Sequence, residues 1–428
     1  MTRRMLPWPG IQTNVNFYGV ESLIMSEQLH SIDDLLTNRT YRFALSHLGF
    51  RPFFLGAMVF AVVSMLFWLL LFVPVGQSSL VALSPRDWHA HEMLYGYGVA
   101  VIAGFLLTAI RNWTGIQTAH GGTLLVLFLM WVSARIMPFI PLDANLQLMA
   151  GLDLLFMLML LLATFMPIAK VKQWNQLGII LIVVLLLGGN LLFYLGVFNM
   201  LERGVEWGLY AGLYIVLGLI FIIGRRVIPF FIEKGVDGPV VVKNWRWLDI
   251  SIALLFALFA FLDVFTAHVE VVAGLALLLF ILNSIRLFGW YNAGLFGKPL
   301  LWVLYLAYVF IVAGFAMKFV GFIYDLPASA HVHLFTVGGI GLMTTGMMAR
   351  VALGHTGRNV FEPPKILPAI FSLLVLSAIS RVFLPLLMGQ HYLLWVMLSQ
   401  LLWLAAFVLL LWRYLPMLIK PRVDGRYG

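Results

Sequence analysis

Cysteine is absent from all 428 residues. That excludes disulfides, thiolate metal sites, iron–sulfur clusters and thiol catalysis. Charge is scarce too. Asp, Glu, Lys and Arg make up 11% of the chain, against about 25% in an ordinary soluble domain. With 62% hydrophobic residues and a mean hydropathy of +0.98, the shortage excludes a soluble globular enzyme, a disordered protein and a nucleic-acid partner. The alternation of a β-barrel is missing as well. Instead the chain carries unbroken apolar runs of about 20 residues, the length of a spanning helix. In lipid a helix satisfies its own backbone polar groups. The composition therefore predicts an all-α integral membrane protein with lipid as its surroundings.

Twelve spans are predicted, at about 53–73, 88–109, 122–139, 147–166, 177–198, 208–230, 247–266, 269–288, 300–323, 329–349, 367–388 and 392–412. Net charge is +9, from 27 Lys and Arg against 18 Asp and Glu. With the N-terminus inside, every one of the 27 falls on the cytoplasmic face except Arg86, Arg135, Arg203, Lys318 and Arg381. A missed helix would scramble that asymmetry. Both termini are therefore expected in the cytoplasm. Residues 1–49 read as a polar cytoplasmic arm without the apolar core of a signal peptide. Residues 50–415 form the transmembrane domain, and 416–428 a cytoplasmic tail. Met25 offers an alternative start, which would make 1–24 an upstream extension.

Without thiols, the ten histidines are the best metal ligands. Two His-x-His pairs stand out: His89-Ala90-His91, followed by Glu92, and His331-Val332-His333. Both open inward-running helices at the outer face. Residues i and i+2 on a helix point about 200° apart, so each pair can face two different sites. One histidine from each pair could clamp a haem iron axially, leaving the others to a second metal such as copper. Interfacial hydrogen bonding is the alternative. Glu92 could orient an imidazole, carry protons or neutralise a metal, and a plain salt bridge with Arg135 is the alternative.

Further candidates lie toward the inner face. His355 follows His333 by about 33 Å if the helix is continuous, so it would belong to a second, inner site with His47 and Arg51. Arg225 and Arg226 suit a helix C-terminus and also haem propionates. Met343, Met347 and Met348 offer thioethers to Cu(I), though methionine also fills cores. Thr336, Thr344 and Thr345 could bridge helices or relay protons. His30, His120, His268 and His391 read as loop or helix-end residues.

Five stretches together resemble the NnrS family. They are Gly49–Phe54, Trp88–Gly96, Ala103–Gly115, Gly224–Phe231 and His333–Gly357. The resemblance implies a twelve-helix inner-membrane protein of proteobacteria that contains haem and copper and acts on nitric oxide, in denitrification or against nitrosative stress. It points to His89, His91, His333 and His355 as metal ligands, with His331 and His47 as secondary candidates. Arg51, Asn112, Trp113, Arg226 and Arg350 would contact the cofactor, and Glu92 is the catalytic candidate. The haem would be b-type, since a c-type attachment needs cysteine. Haem–copper oxidases and respiratory nitric oxide reductases also use twelve helices and a His-x-His pair on the tenth, a fold-level analogy.

The leading expectation is an oxidoreductase that binds and reduces nitric oxide, with electrons from quinol or another donor. A protein that binds, sequesters or senses nitric oxide without turnover is the alternative. A secondary transporter is the third, and it should show inverted repeats and midplane charges. Only Arg381 among the basic residues comes near the middle of a span. Oligomerisation is left open.

Overall fold

The computed structural model describes residues 43–72 and 83–428. Most of the expected N-terminal arm, with His30 and the alternative start at Met25, lies outside the described residues. Among those described, twelve helices are long and apolar enough to cross a membrane, and no strand occurs. They are α1 (Phe50–Phe72), α2 (Pro85–Thr114), α3 (Gly121–Ile136), α4 (Asn145–Lys170), α5 (Leu177–Val197) and α6 (Gly204–Gly235). The rest are α7 (Arg246–Phe265), α8 (Val269–Trp290), α9 (Pro299–Tyr324), α10 (Ser329–His355), α11 (Leu367–Leu387) and α12 (Tyr392–Ile419).

Several helices outrun the apolar stretch that predicts them. Helix α6 carries Glu206 in its first turn and Lys234 in its last, a distribution that favours the helix dipole. An apolar run marks the lipid core, whereas the helix continues into the polar interface. Helix α12 likewise runs to Ile419 rather than 412. Local signals set the ends of α2. Ser84 accepts from the Asp87 amide at 3.1 Å, Pro85 occupies the first turn, and Gly115 closes the helix at φ 67°.

The two helices with His-x-His pairs are the most enclosed. Over its most apolar 18-residue stretch α2 is 83% buried and α10 72%, against 28% for α7. Both share a feature that spacing does not predict. Directly after each pair the backbone widens into a π segment, Glu92–Gly98 in α2 and Leu334–Gly341 in α10. Such bulges concentrate at functional sites. The pairs themselves precede the π segments, so their 200° divergence holds. Neighbours press closely on the second π segment: a Cβ on Gly338 would lie 2.5 Å from the Phe310 ring.

The two ends of the described chain meet at one face. The Ala44 amide donates to the Ile419 carbonyl at 2.8 Å, and His47 stacks on Tyr427 at 4.5 Å. An even number of spans requires this.

Candidate functional site

Helices α2 and α10 meet around a cavity of about 530 Å³, within the range of ligand pockets. From α2 come His89, Met93 and Tyr97; from α10, His333, Thr336 and Ile340. Trp68 of α1, Tyr210 of α6, Arg381 of α11 and Trp403 of α12 complete the wall. Each His-x-His pair thus contributes one imidazole to a common space.

Those imidazoles are held differently. His333 Nδ1 lies 2.6 Å from the Ser329 carbonyl one turn back. A carbonyl only accepts, so Nδ1 carries the proton and Nε2 keeps its lone pair for a ligand. The His89 ring stacks on Trp68 at 4.5 Å and 10°, and its buried Nδ1 has no hydrogen-bond partner. An orphaned nitrogen beside an aromatic-walled cavity suits a flat apolar cofactor with a metal at its centre. Larger metal clusters find less support. Among the described residues, no three His, Asp or Glu side chains converge as a metal-binding group.

The other member of each pair faces elsewhere. His91 is fully buried, with Nδ1 3.0 Å from Glu92 Oε1 and Nε2 2.9 Å from Asn190 Oδ1. Glu92 Oε2 accepts from Arg135 at 3.0 Å, and Arg135 reaches Asp153 at 2.6 Å. Asp153 also accepts from Asn190 at 2.9 Å and from Tyr194 at 3.1 Å. Four helices, α2 to α5, are tied by this network, which lies outside the cavity wall. Glu92 therefore orients an imidazole, one of its expected roles, and pairs with Arg135, the expected alternative. His331 is buried edge-on to Phe335, near Lys318. Lys318 pairs with Asp263 at 2.7 Å, and Tyr214 donates to the same carboxylate.

The remaining expected residues lie away from the cavity. His355 ends the unbroken α10, with Nε2 3.5 Å from Asn112 Nδ2 and Arg51, Arg111 and Arg422 in electrostatic reach. Arg51 is fully buried and donates to the carbonyls of Leu418 at 2.7 Å and Lys420 at 2.8 Å, closing the C-terminus of α12. Trp113 accepts from Gln173 through its carbonyl at 2.8 Å. Arg350 lies 3.6 Å over the Phe231 ring, which joins two of the motifs, while Arg226 is exposed. His47 sits outside the spans. Burial, then nearby Arg51, lowers its pKa to about 4. None of these residues lines the cavity.

Sequence reasoning passed over Asp153, Asn190, Tyr194 and, as a site residue, Arg381. The available signal was a polar or ionisable side chain inside a long apolar run.

Fold and cavity together define a multi-pass α-helical membrane protein with a histidine-lined pocket between its two most buried helices. The family model described as NnrS protein matches residues 44–422, nearly the whole chain, and the chain belongs to that family. No curated protein matches it.

Proposed function

We propose that the protein binds haem and uses it to bind and reduce nitric oxide, protecting a bacterial cell from nitrosative stress. The carrying observation is that His89 and His333, one from each pair, line one cavity, and that the Ser329 carbonyl orients His333. These two residues would hold a b-type haem, and family membership supports the link to nitric oxide. When bound, the iron would supply the route for electrons, and a coordination position for the gas while only one of the two imidazoles ligates it. Ser329 fixes the His333 tautomer and strengthens Nε2 as a donor. Trp68, Met93, Ile340 and Trp403 exclude water. Tyr97 and Thr344 share a hydrogen bond of 2.7 Å, which places an exchangeable proton at the wall.

Nitric oxide is small, neutral and lipid-soluble, so it needs no charged channel. Coupling two molecules to nitrous oxide and water consumes two electrons and two protons. Quinol in the surrounding lipid is the donor we favour. The basic-residue asymmetry supports the cytoplasmic membrane, with both termini inside. Copper, which the family resemblance implies, has no convergent three-donor set among the described residues, and we route no step through it. Sequestration without turnover is the second reading. What favours it is that Glu92, the expected proton carrier, is locked to Arg135 away from the cavity.

An absorbance spectrum of the purified protein tests the proposal. We expect a Soret band that shifts with nitric oxide, and consumption of the gas at an electrode when quinol is supplied. No Soret band overturns the haem assignment. A spectral shift without consumption replaces reduction by sequestration.

A further inference from the structure

The cavity contains a basic group with no acidic counterpart. Several buried cations elsewhere in the bundle are matched by carboxylates, and Arg350 lies instead over the Phe231 ring. Arg135 has Glu92 and Asp153, Arg286 has Asp249 at 2.5 Å, and Lys318 has Asp263. Arg51, which lacks a carboxylate, instead donates to a cluster of backbone carbonyls. Arg381 has neither arrangement. It lies within a span, lines the cavity and stands in electrostatic reach of both His89 and His333. Tyr392 hydrogen-bonds to it, and no acidic side chain forms an ion pair with it among the described residues. Among the described residues the cavity wall includes no Asp or Glu, and its other charged residue is a second arginine, Arg86, at the rim. A guanidinium held in a membrane protein without a counter-ion is costly, because its desolvation is not repaid. Planar guanidinium donors match carboxylates and other oxyanions in charge and shape.

We propose that Arg381 is the anion-binding subsite of this cavity, taking a carboxylate of an amphipathic, planar cofactor whose metal is held by the histidines. The inference rests on the haem reading above and extends it to the cofactor's propionates. It moves the propionate contact from the inner-face arginines to the end of the bundle that holds His89 and His333. The neutral imidazoles then supply the metal ligands, and Arg381 balances the charge the cofactor brings.

The experiment compares wild type with Arg381→Met and Arg381→Lys, each purified in detergent and checked by circular dichroism and gel filtration. Haem per protein and the midpoint potential are read, and each protein is reloaded with haem or with its propionate dimethyl ester. We expect Arg381→Met to lower haem affinity at least about tenfold, the loss of one charge-assisted hydrogen bond. Its potential should fall, since a cation that favours the reduced iron is gone. Arg381→Lys should recover most of the occupancy, because charge is kept and only the planar fork is lost. The dimethyl ester should bind wild type about as weakly as haem binds Arg381→Met. Equal occupancy and potential in wild type and Arg381→Met, with the ester bound as well as haem, overturns the inference and leaves the haem reading standing. Wild type without any haem defeats the haem reading itself, and the inference falls with it. Inorganic phosphate or nitrite that perturbs wild type but not Arg381→Met, with the ester bound normally, assigns the arginine to a free oxyanion and overturns the carboxylate assignment.

Discussion

His89 and His91 lie two residues apart and serve different ends. Both ring nitrogens of His91 are engaged by Glu92 and Asn190, whereas His89 keeps an unpaired nitrogen beside the cavity. His333→Ala should therefore lower haem content at least about tenfold, while His355→Ala, at the far end of α10, should leave it unchanged; pyridine haemochrome assays decide. Asp153→Ala breaks the shorter of the two buried ion pairs of Arg135 and takes the acceptor from Asn190 and Tyr194, leaving Arg135 only Glu92. Breaking a buried pair costs about 3–5 kcal/mol, so the thermal midpoint in detergent should drop sharply, and Asp153→Asn, which keeps an oxygen acceptor for Asn190 and Tyr194, should lose less than Asp153→Ala. His47 gives a pH test. Its folded pKa of about 4 lies below the ordinary histidine value of 6.5, so the unfolded chain binds its proton first. Stability should fall as pH drops from about 6.5 to 4, and His47→Phe, which keeps a ring on Tyr427, should flatten that slope in denaturant titrations. The divergence of each His-x-His pair was legible from helix geometry alone. Which member faces the cavity was not, because Asn190 and Asp153, on α5 and α4, decide it for the first pair.

At the scale of elements, the spans were legible because apolar runs and basic flanks are direct consequences of the bilayer. The π segments were not. Glu92–Gly98 and Leu334–Gly341 have compositions that an α-helix also accepts, and only packing against other helices distinguishes the two. Packing of α5 on α6 shows how close such contacts become. A Cβ on Gly208 would meet the Phe193 amide at 2.5 Å, and the Tyr95 hydroxyl donates to the Gly208 carbonyl at 2.6 Å. Small residues permit this backbone approach. Gly208→Val should force α5 and α6 apart at a cost of about 1–3 kcal/mol, read as a lower thermal midpoint. Because Asn190 and Tyr194 ride on α5, the variant should also weaken the hold on His91, and a gain in protease susceptibility of the α5–α6 loop would report it.

For the molecule as a whole, the missing cysteine becomes an experimental advantage. Any single cysteine introduced is the only thiol, so its labelling reports sidedness without background. With a membrane-impermeant reagent, Asp237→Cys in the α6–α7 loop should react in inverted vesicles and not in intact cells, and Met200→Cys in the α5–α6 loop should do the reverse. Reversed labelling would defeat the assigned orientation. The network of α2 to α5 carries a last consequence, for how the chain is made. Glu92, Arg135, Asp153 and Asn190 emerge from the ribosome in that order, each on a separate hydrophobic helix. Every one of those helices would meet lipid with an uncompensated polar group if released alone. Holding the first helices together at the insertion machinery until α5 arrives would spare each of them that cost and release them as one neutralised package.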